Sequence, residues 1–218
     1  MPVQDWMSKD LITIDEDTSI MKASKVMKQN NIQHLPVMRK GRLVGMVSDR
    51  DLKEATPSKA TTLDIHEMYY LLDKIEVKSL MSKTLITIAP ENTVEKAAAV
   101  MLKHDISALA VVDANGALAG IITKGDIFRA FVSISGIYQG AVAMGVELPD
   151  EAGYIKQVTD VIRSHGGRIA SVMTRYEGAP EGFKHVYIRA KHIKDDKALR
   201  KDLESKHKIL YFFNEKVD

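Results

Sequence analysis

The chain has 218 residues, 45% hydrophobic and 28% charged, which allows a packed core and excludes wholesale disorder. Its 31 basic and 29 acidic side chains leave a formal charge of +2, without the concentrated basic stripe that nucleic acid calls for. The absence of cysteine excludes disulfides and thiolate metal sites, and no run approaches the roughly 20 apolar residues that span a bilayer.

The N-terminus, Met-Pro-Val-Gln-Asp-Trp, lacks a basic and then apolar signal pattern. The expectation is a soluble, cytoplasmic protein with neither membrane nor nucleic acid as partner. The first predicted element is a short apolar strand, Leu11 to Ile14, followed by an acidic turn. Thr18 or Ser19 can cap a helix with Ile20, Ala23 and Met27 on one face, closed by Asn30-Asn31. A strand around Leu35 to Met38, a turn at Lys40-Gly41 and a strand from Leu43 to Val47 follow, and a second helix begins near Ser48.

This β-α-β-β-α grammar occurs twice. Met7-Ser-Lys-Asp-Leu-Ile-Thr-Ile14 matches Met81-Ser-Lys-Thr-Leu-Ile-Thr-Ile88 at an offset of 74. One extra residue enters near Asn115, after which Gly41, Leu43, Gly45 and Asp51 match Gly116, Leu118, Gly120 and Asp126. There are 18 identities over the 46 positions from Met7 to Leu52, where about three would arise from average residue usage. A unit of about 55 residues is marginal alone, so two copies should pack together.

After the last strand of each unit a hydroxyl and a carboxylate stand three apart: Ser48 with Asp51, and Thr123 with Asp126. One reading is a helix cap, with the acid favoured by the helix dipole. The other adds a ligand: the carboxylate can accept both hydrogen bonds of a ribose diol, while the hydroxyl and free N–H groups receive phosphate. Arg50 and Lys124 put a cation beside each pair, although Asp49 opposes a large anion at the first.

The whole unit resembles the CBS motif. The residues that carry the likeness are the opening Met-Ser-Lys-x-Leu-Ile-Thr-Ile, the central His34-Leu-Pro-Val37, and the closing glycine, two apolar residues, Ser or Thr, two residues, Asp. The resemblance covers about residues 1–133. It implies a disc-like pair with two clefts for AMP, ADP or ATP as regulatory ligands. Ser48 with Asp51 and Thr123 with Asp126 would hold ribose and phosphate. Backbone near Ile12-Thr13 and Ile86-Thr87, and near His34-Leu35-Pro36 and Ala108-Leu109, would flank the adenine. Ala108, Ala110 and Gly125 replace His34, Pro36 and Arg50 in the second unit, so one or both clefts would be occupied.

Between the units, Ala55 to Thr62 reads as a loop, and Asp64 caps a helix to about Lys74 with Ile65, Met68, Tyr69 and Leu72 at helical spacing. Residues 134–140 read as a linker. A strand from Val142 to Leu148 follows, then a turn, Pro149-Asp150-Glu151-Ala152-Gly153, and a helix with Ile155, Val158, Val161 and Ile162 on one side, ended by Gly166-Gly167. Strands at Arg168 to Tyr176 and around Val186 to Ala190, a helix from about Asp195 to Lys206 and a strand from Ile209 to Phe213 complete β-α-β-β-α-β, the ferredoxin-like arrangement.

This third segment, about residues 140–218, resembles an ACT domain, a module that binds amino acids. The resemblance would put a ligand turn at Asp150, Glu151, Ala152 and Gly153; the alternative is a dimerising sheet without ligand. The full order of modules is similar to the bacterial acetoin-utilisation protein B family, which implies a regulatory role toward an unidentified partner, and a homodimer. The resulting division is 1–60 for the first motif, 61–76 for a linker helix, 77–133 for the second motif and 141–218 for the third domain, an α+β chain throughout. The sequence has no Walker loop, dinucleotide fingerprint or nucleophile elbow, and no histidine pair at i, i+4. No catalytic function, catalytic cofactor or metal is expected.

Overall fold

The computed structural model describes residues 1–56, 70 and 72–214. Contacts divide the chain into two compact units, Met1–Ile127 and Phe128–Asp218.

The first unit contains the duplicated motif. In the first copy, β1 (Ile14–Asp15) lies parallel to β2 (His34–Arg39), which pairs antiparallel with β3 (Arg42–Ser48). Helix α1 (Ile20–Asn30) starts where the Ser19 hydroxyl accepts the Lys22 N–H, and ends at Asn31 in the left-handed region, φ 51°. A short helix α2 (Asp49–Glu54) closes the copy. The second copy repeats this with β4 (Thr87–Ile88), β5 (Ala108–Val112), β6 (Leu118–Thr123) and α3 (Val94–His104), capped by Thr93 and ended at Asp105, φ 50°. It closes with α4 (Lys124–Ser135). The expected opening strand Leu11 to Ile14 is shorter than its apolar run and starts only at Ile14. Of the rest of that run, Ile12 packs on the first core and Thr13 is exposed.

The copies exchange their opening segments. A 3-10 turn at Val77–Ser79, which begins the second copy, bonds to the first: Val77 donates to the Thr18 carbonyl at 2.9 Å and Lys78 to the Glu16 carbonyl at 3.0 Å. The matching turn at Val3–Asp5 bonds to the second copy, Val3 donating to the Asn92 carbonyl at 2.8 Å. Val77 and Met81 are therefore buried in the core of the first copy, among Ile20, Met27, Leu35 and Val47. Ser82 and Met46 exchange backbone hydrogen bonds at 2.9 and 3.2 Å, and Ser8 and Ile121 do so at 2.9 and 3.1 Å. These crossings leave no room at Gly45 or Gly120. A Cβ on Gly45 would overlap Sδ of Met81, and one on Gly120 would overlap Sδ of Met7.

The expected linker helix falls mostly outside the described residues, including Ile65, Met68 and Tyr69. Of its remainder, Leu72 is buried in the first core, and Lys74 Nζ sits 4.2 Å from the centroid of the exposed Tyr70 ring.

The second unit has β7 (Val142–Pro149), α5 (Tyr154–Ser164), β8 (Arg168–Arg175), β9 (Phe183–Lys191), α6 (Asp196–Glu204) and β10 (Lys208–Asn214). The antiparallel sheet has the order β10-β7-β9-β8, which is the ferredoxin-like arrangement. Val158 and Ile162 of α5 and Leu199 and Leu203 of α6 bury against Met144, Val146, Val186 and Ile188. Residues expected as linker are structured: α4 continues to Ser135, and the Gly140 carbonyl accepts from Arg189 at 3.0 Å.

Overpacking a close contact of this kind costs about 1–3 kcal/mol. Gly45→Val and Gly120→Val are each expected to lose that much in urea unfolding, and Met81→Ala paired with Gly45→Val to recover part of it. Wild-type stability of either glycine variant would contradict the crossed packing.

Candidate functional site

Ser48 and Asp51 form a full capping box. The Ser48 hydroxyl accepts the Asp51 N–H at 3.3 Å, while Asp51 Oδ2 accepts from the Ser48 N–H and hydroxyl, both at 2.7 Å. Thr123 and Asp126 repeat it: Oδ2 accepts from the Thr123 N–H at 2.7 Å and from its hydroxyl at 2.6 Å. The cap reading of the sequence is thus realised twice, in nearly identical geometry. The surroundings differ. Asp126 is 2% exposed, whereas Asp51 is half-buried and opens onto a cleft of about 840 Å³.

That cleft is walled by both copies. Ser48, Asp51 and His34 come from the first; Ser82, Thr84, Leu85 and Ile86 from the opening of the second; Asp105, Ser107 and Ala108 from the turn after α3 and the start of β5. The segment beside the first hydroxyl–carboxylate pair is therefore Thr84–Ile86. The cause is the crossing at Ser82 and Met46. Ile12 packs on the first core, and Thr13 is exposed. Thr87 lies one residue beyond the cleft wall, in β4, paired with Ala110. Leu35 and Leu109 are fully buried and Pro36 is buried, so their side chains serve the cores and only their backbone is left for a ligand. Arg50 lines the cleft but its side chain is 85% exposed and bonded to Glu54 at 3.0 Å. Lys124 is exposed at the start of α4.

His34 Nε2 and the Ser107 hydroxyl are 2.8 Å apart and join the two copies across the cleft. Burial lowers the pKa of His34, with the Asp51 carboxylate acting in the opposite sense. The imidazole is neutral at pH 7 and offers one donor and one acceptor. Ser107, Asp105, Ser82 and Thr84 were not singled out from the sequence. They carry no chemical signature there, and only the exchange of segments brings them to Ser48.

At the C-terminal turn, Asp150 is ion-paired with Lys184 at 2.8 Å and its N–H bonds to the Gly182 carbonyl. Glu151 and Ala152 are exposed, and Gly153 opens α5 without a side-chain cap, φ 93°. Among the described residues no group of three or more His, Asp or Glu is arranged to hold a metal, and no helix is long and apolar enough to cross a membrane.

Because the folded state lowers the His34 pKa, its neutral form contributes stability that is present above about pH 6.5 and lost as pH falls through the depressed value. An NMR titration should place the His34 midpoint below 6.5, and His34→Gln should flatten the stability profile in that window. A midpoint at or above 6.5 would contradict the burial of the ring.

The CBS domain model matches residues 3–58 and 77–133. A CBS domain-containing protein of Dictyostelium discoideum is 33% identical over 133 residues, 61% of this chain and 92% of that protein. A homoserine O-acetyltransferase of Methanohalobium evestigatum is 34% identical over 128 residues, 58% of this chain; the chain spans only 23% of the length of that relative. Among solved structures, the CBS domain pair of protein MJ0100, in complex with 5′-methylthioadenosine and S-adenosyl-L-methionine, is 32% identical with a TM-score of 0.51, covering 61% of this chain and 96% of that one. CBSX2 in complex with AMP is 32% identical, TM-score 0.50, covering 61% and 97%. A structure assigned to an acetoin utilization protein (AcuB) of Vibrio cholerae is 28% identical, TM-score 0.50, covering 61% and 90%.

Proposed function

Since the chain belongs to the CBS domain family, we propose that its first unit is a regulatory sensor that binds an adenosine-containing ligand in the cleft at Ser48 and Asp51. The observation that carries this reading is the position of Asp51. Its cap bonds fall on Oδ2, and the residue opens onto a cleft of about 840 Å³, within the range of small-molecule sites. A carboxylate held in this way can accept the two hydroxyls of a ribose. The apolar walls at Leu85, Ile86, Ile106 and Ala108 suit a purine ring, and His34 and Ser107 offer polar contacts.

The ligands named for the MJ0100 pair and CBSX2, which are 5′-methylthioadenosine, S-adenosyl-L-methionine and AMP, support an adenosine core. AMP, ADP and ATP remain candidates beside them. Thr123, Asp126 and Lys124 would form a second, more closed site. The ligand acts by binding one arrangement of the two copies better than another. A regulatory role fits the match of the CBS domain model to residues 3–58 and 77–133.

For residues 141–218 we propose an ACT-type module. Its ferredoxin-like sheet supports that reading, while the Asp150–Lys184 pair ties up the turn that would hold an amino acid. The stacked Tyr187, Tyr211 and Phe213 on the sheet favour a dimerising role over amino-acid binding. The likeness to the Vibrio cholerae protein suggests control of a partner in acetoin metabolism.

Isothermal titration with AMP, ADP, ATP, 5′-methylthioadenosine and S-adenosylmethionine should give a dissociation constant between about 1 μM and 1 mM for at least one. The double variant Asp51→Ala, Asp126→Ala should abolish binding with the circular dichroism spectrum retained. No heat with any of the five, or unchanged affinity in the double variant, would refute the assignment.

A further inference from the structure

The charges around the Ser48 cleft select among adenosine compounds. Among the described residues four carboxylates line it, Asp49, Asp51, Glu54 and Asp105, against two cations, Arg50 and Lys53. Both cations are committed to carboxylates on their own helix: Lys53 Nζ to Asp49 Oδ2 at 2.5 Å, and Arg50 Nε to Glu54 Oε1 at 3.0 Å. Each pair is neutral in itself, which leaves Asp51 and Asp105 as the net charge among the described residues of the wall. His34 adds no positive charge at neutral pH, because burial lowers its pKa. The other polar groups at the wall, Ser48, Ser82, Thr84 and Ser107, are neutral hydroxyls. The N–H of Asp51 is already spent on the Ser48 hydroxyl, and the short helix behind it starts with acids.

A phosphate chain brought here would meet net negative charge among the described residues of the wall, an arrangement that penalises binding. Resting on the adenosine reading above, we infer that the Ser48 cleft takes adenosine with an uncharged or cationic 5′ substituent, such as a thioether or a sulfonium, and rejects 5′-phosphates. The second copy lacks this bias: Lys124 stands where the first has Asp49, and Asn31 is the counterpart of Asp105. The selection is a property of one cleft, written in two acids.

Competing titrations on the full chain at low ionic strength test this. 5′-Methylthioadenosine and S-adenosylmethionine should bind about tenfold or more tightly than AMP, and AMP more tightly than ATP. The thioether binding should disappear in Asp51→Ala, and about 0.5 M salt should shrink the discrimination several-fold. The variant Asp49→Lys, Asp105→Asn, which copies the second unit's charges, should narrow the ratio between 5′-methylthioadenosine and AMP affinities about fivefold or more. AMP or ATP binding as tightly as the thioether in a manner lost with Asp51→Ala would overturn the charge selection alone, as would an unchanged ratio in the double variant. Failure of every adenosine compound to bind would overturn the adenosine reading itself, and this inference with it.

Discussion

The structure depends on the contact between each copy's closing strand and the other copy's opening segment. Gly45 lies under Met81 and Gly120 under Met7, and each pair is flanked by two backbone hydrogen bonds. Methionine is unbranched and fills an irregular gap well, but only a residue without a side chain can lie beneath it at this distance. The contact sets the registry of the two copies. It thereby brings Thr84, Leu85 and Ile86 to the cap of the first copy, and without it the cleft would lack a wall.

The same cap does two things. In the folded chain, Ser48 and Asp51 satisfy the first turn of α2, a role that needs no ligand. The geometry that satisfies the helix also fixes the carboxylate within about one rotamer, so a ribose would meet an acceptor already in place. The second copy carries the same cap with its acid at 2% exposure. The same local chemistry thus sits under different burial in the two copies.

Much of the fold was legible in the sequence because the duplication announces itself. The caps at Ser19 and Thr93, the left-handed ends at Asn31 and Asp105, and the hydroxyl–carboxylate pairs are local features, fixed within four residues. The alternation of Val186, Ile188 and Ala190 likewise gave a strand buried on one face. The cleft was only half legible. His34, Ser48 and Asp51 line it, but no local pattern reports that the copies trade their first turns and bring Thr84 to Ile86 beside them. Ser107 and Asp105 escaped notice because a serine and a helix-ending acid are ordinary until a partner 73 residues away approaches. The opening strand is shorter than its apolar run because such a run reports partial burial and not strand pairing: Ile12 packs on the first core outside any ladder.

The traded turns also govern the order in which the protein can form during synthesis. The first core is incomplete until Val77 and Met81 have left the ribosome, well after its own last helix at Glu54. Val3 has its partner at Asn92 and Ser8 has its partner at Ile121, so both must wait for the second copy. Two copies that look like separable beads on a string are thus one cooperative folding unit of high sequence separation, whose closing step is slow relative to local helix formation. A nascent chain halted between them holds one unfinished core and a turn that waits for the second, rather than one finished domain.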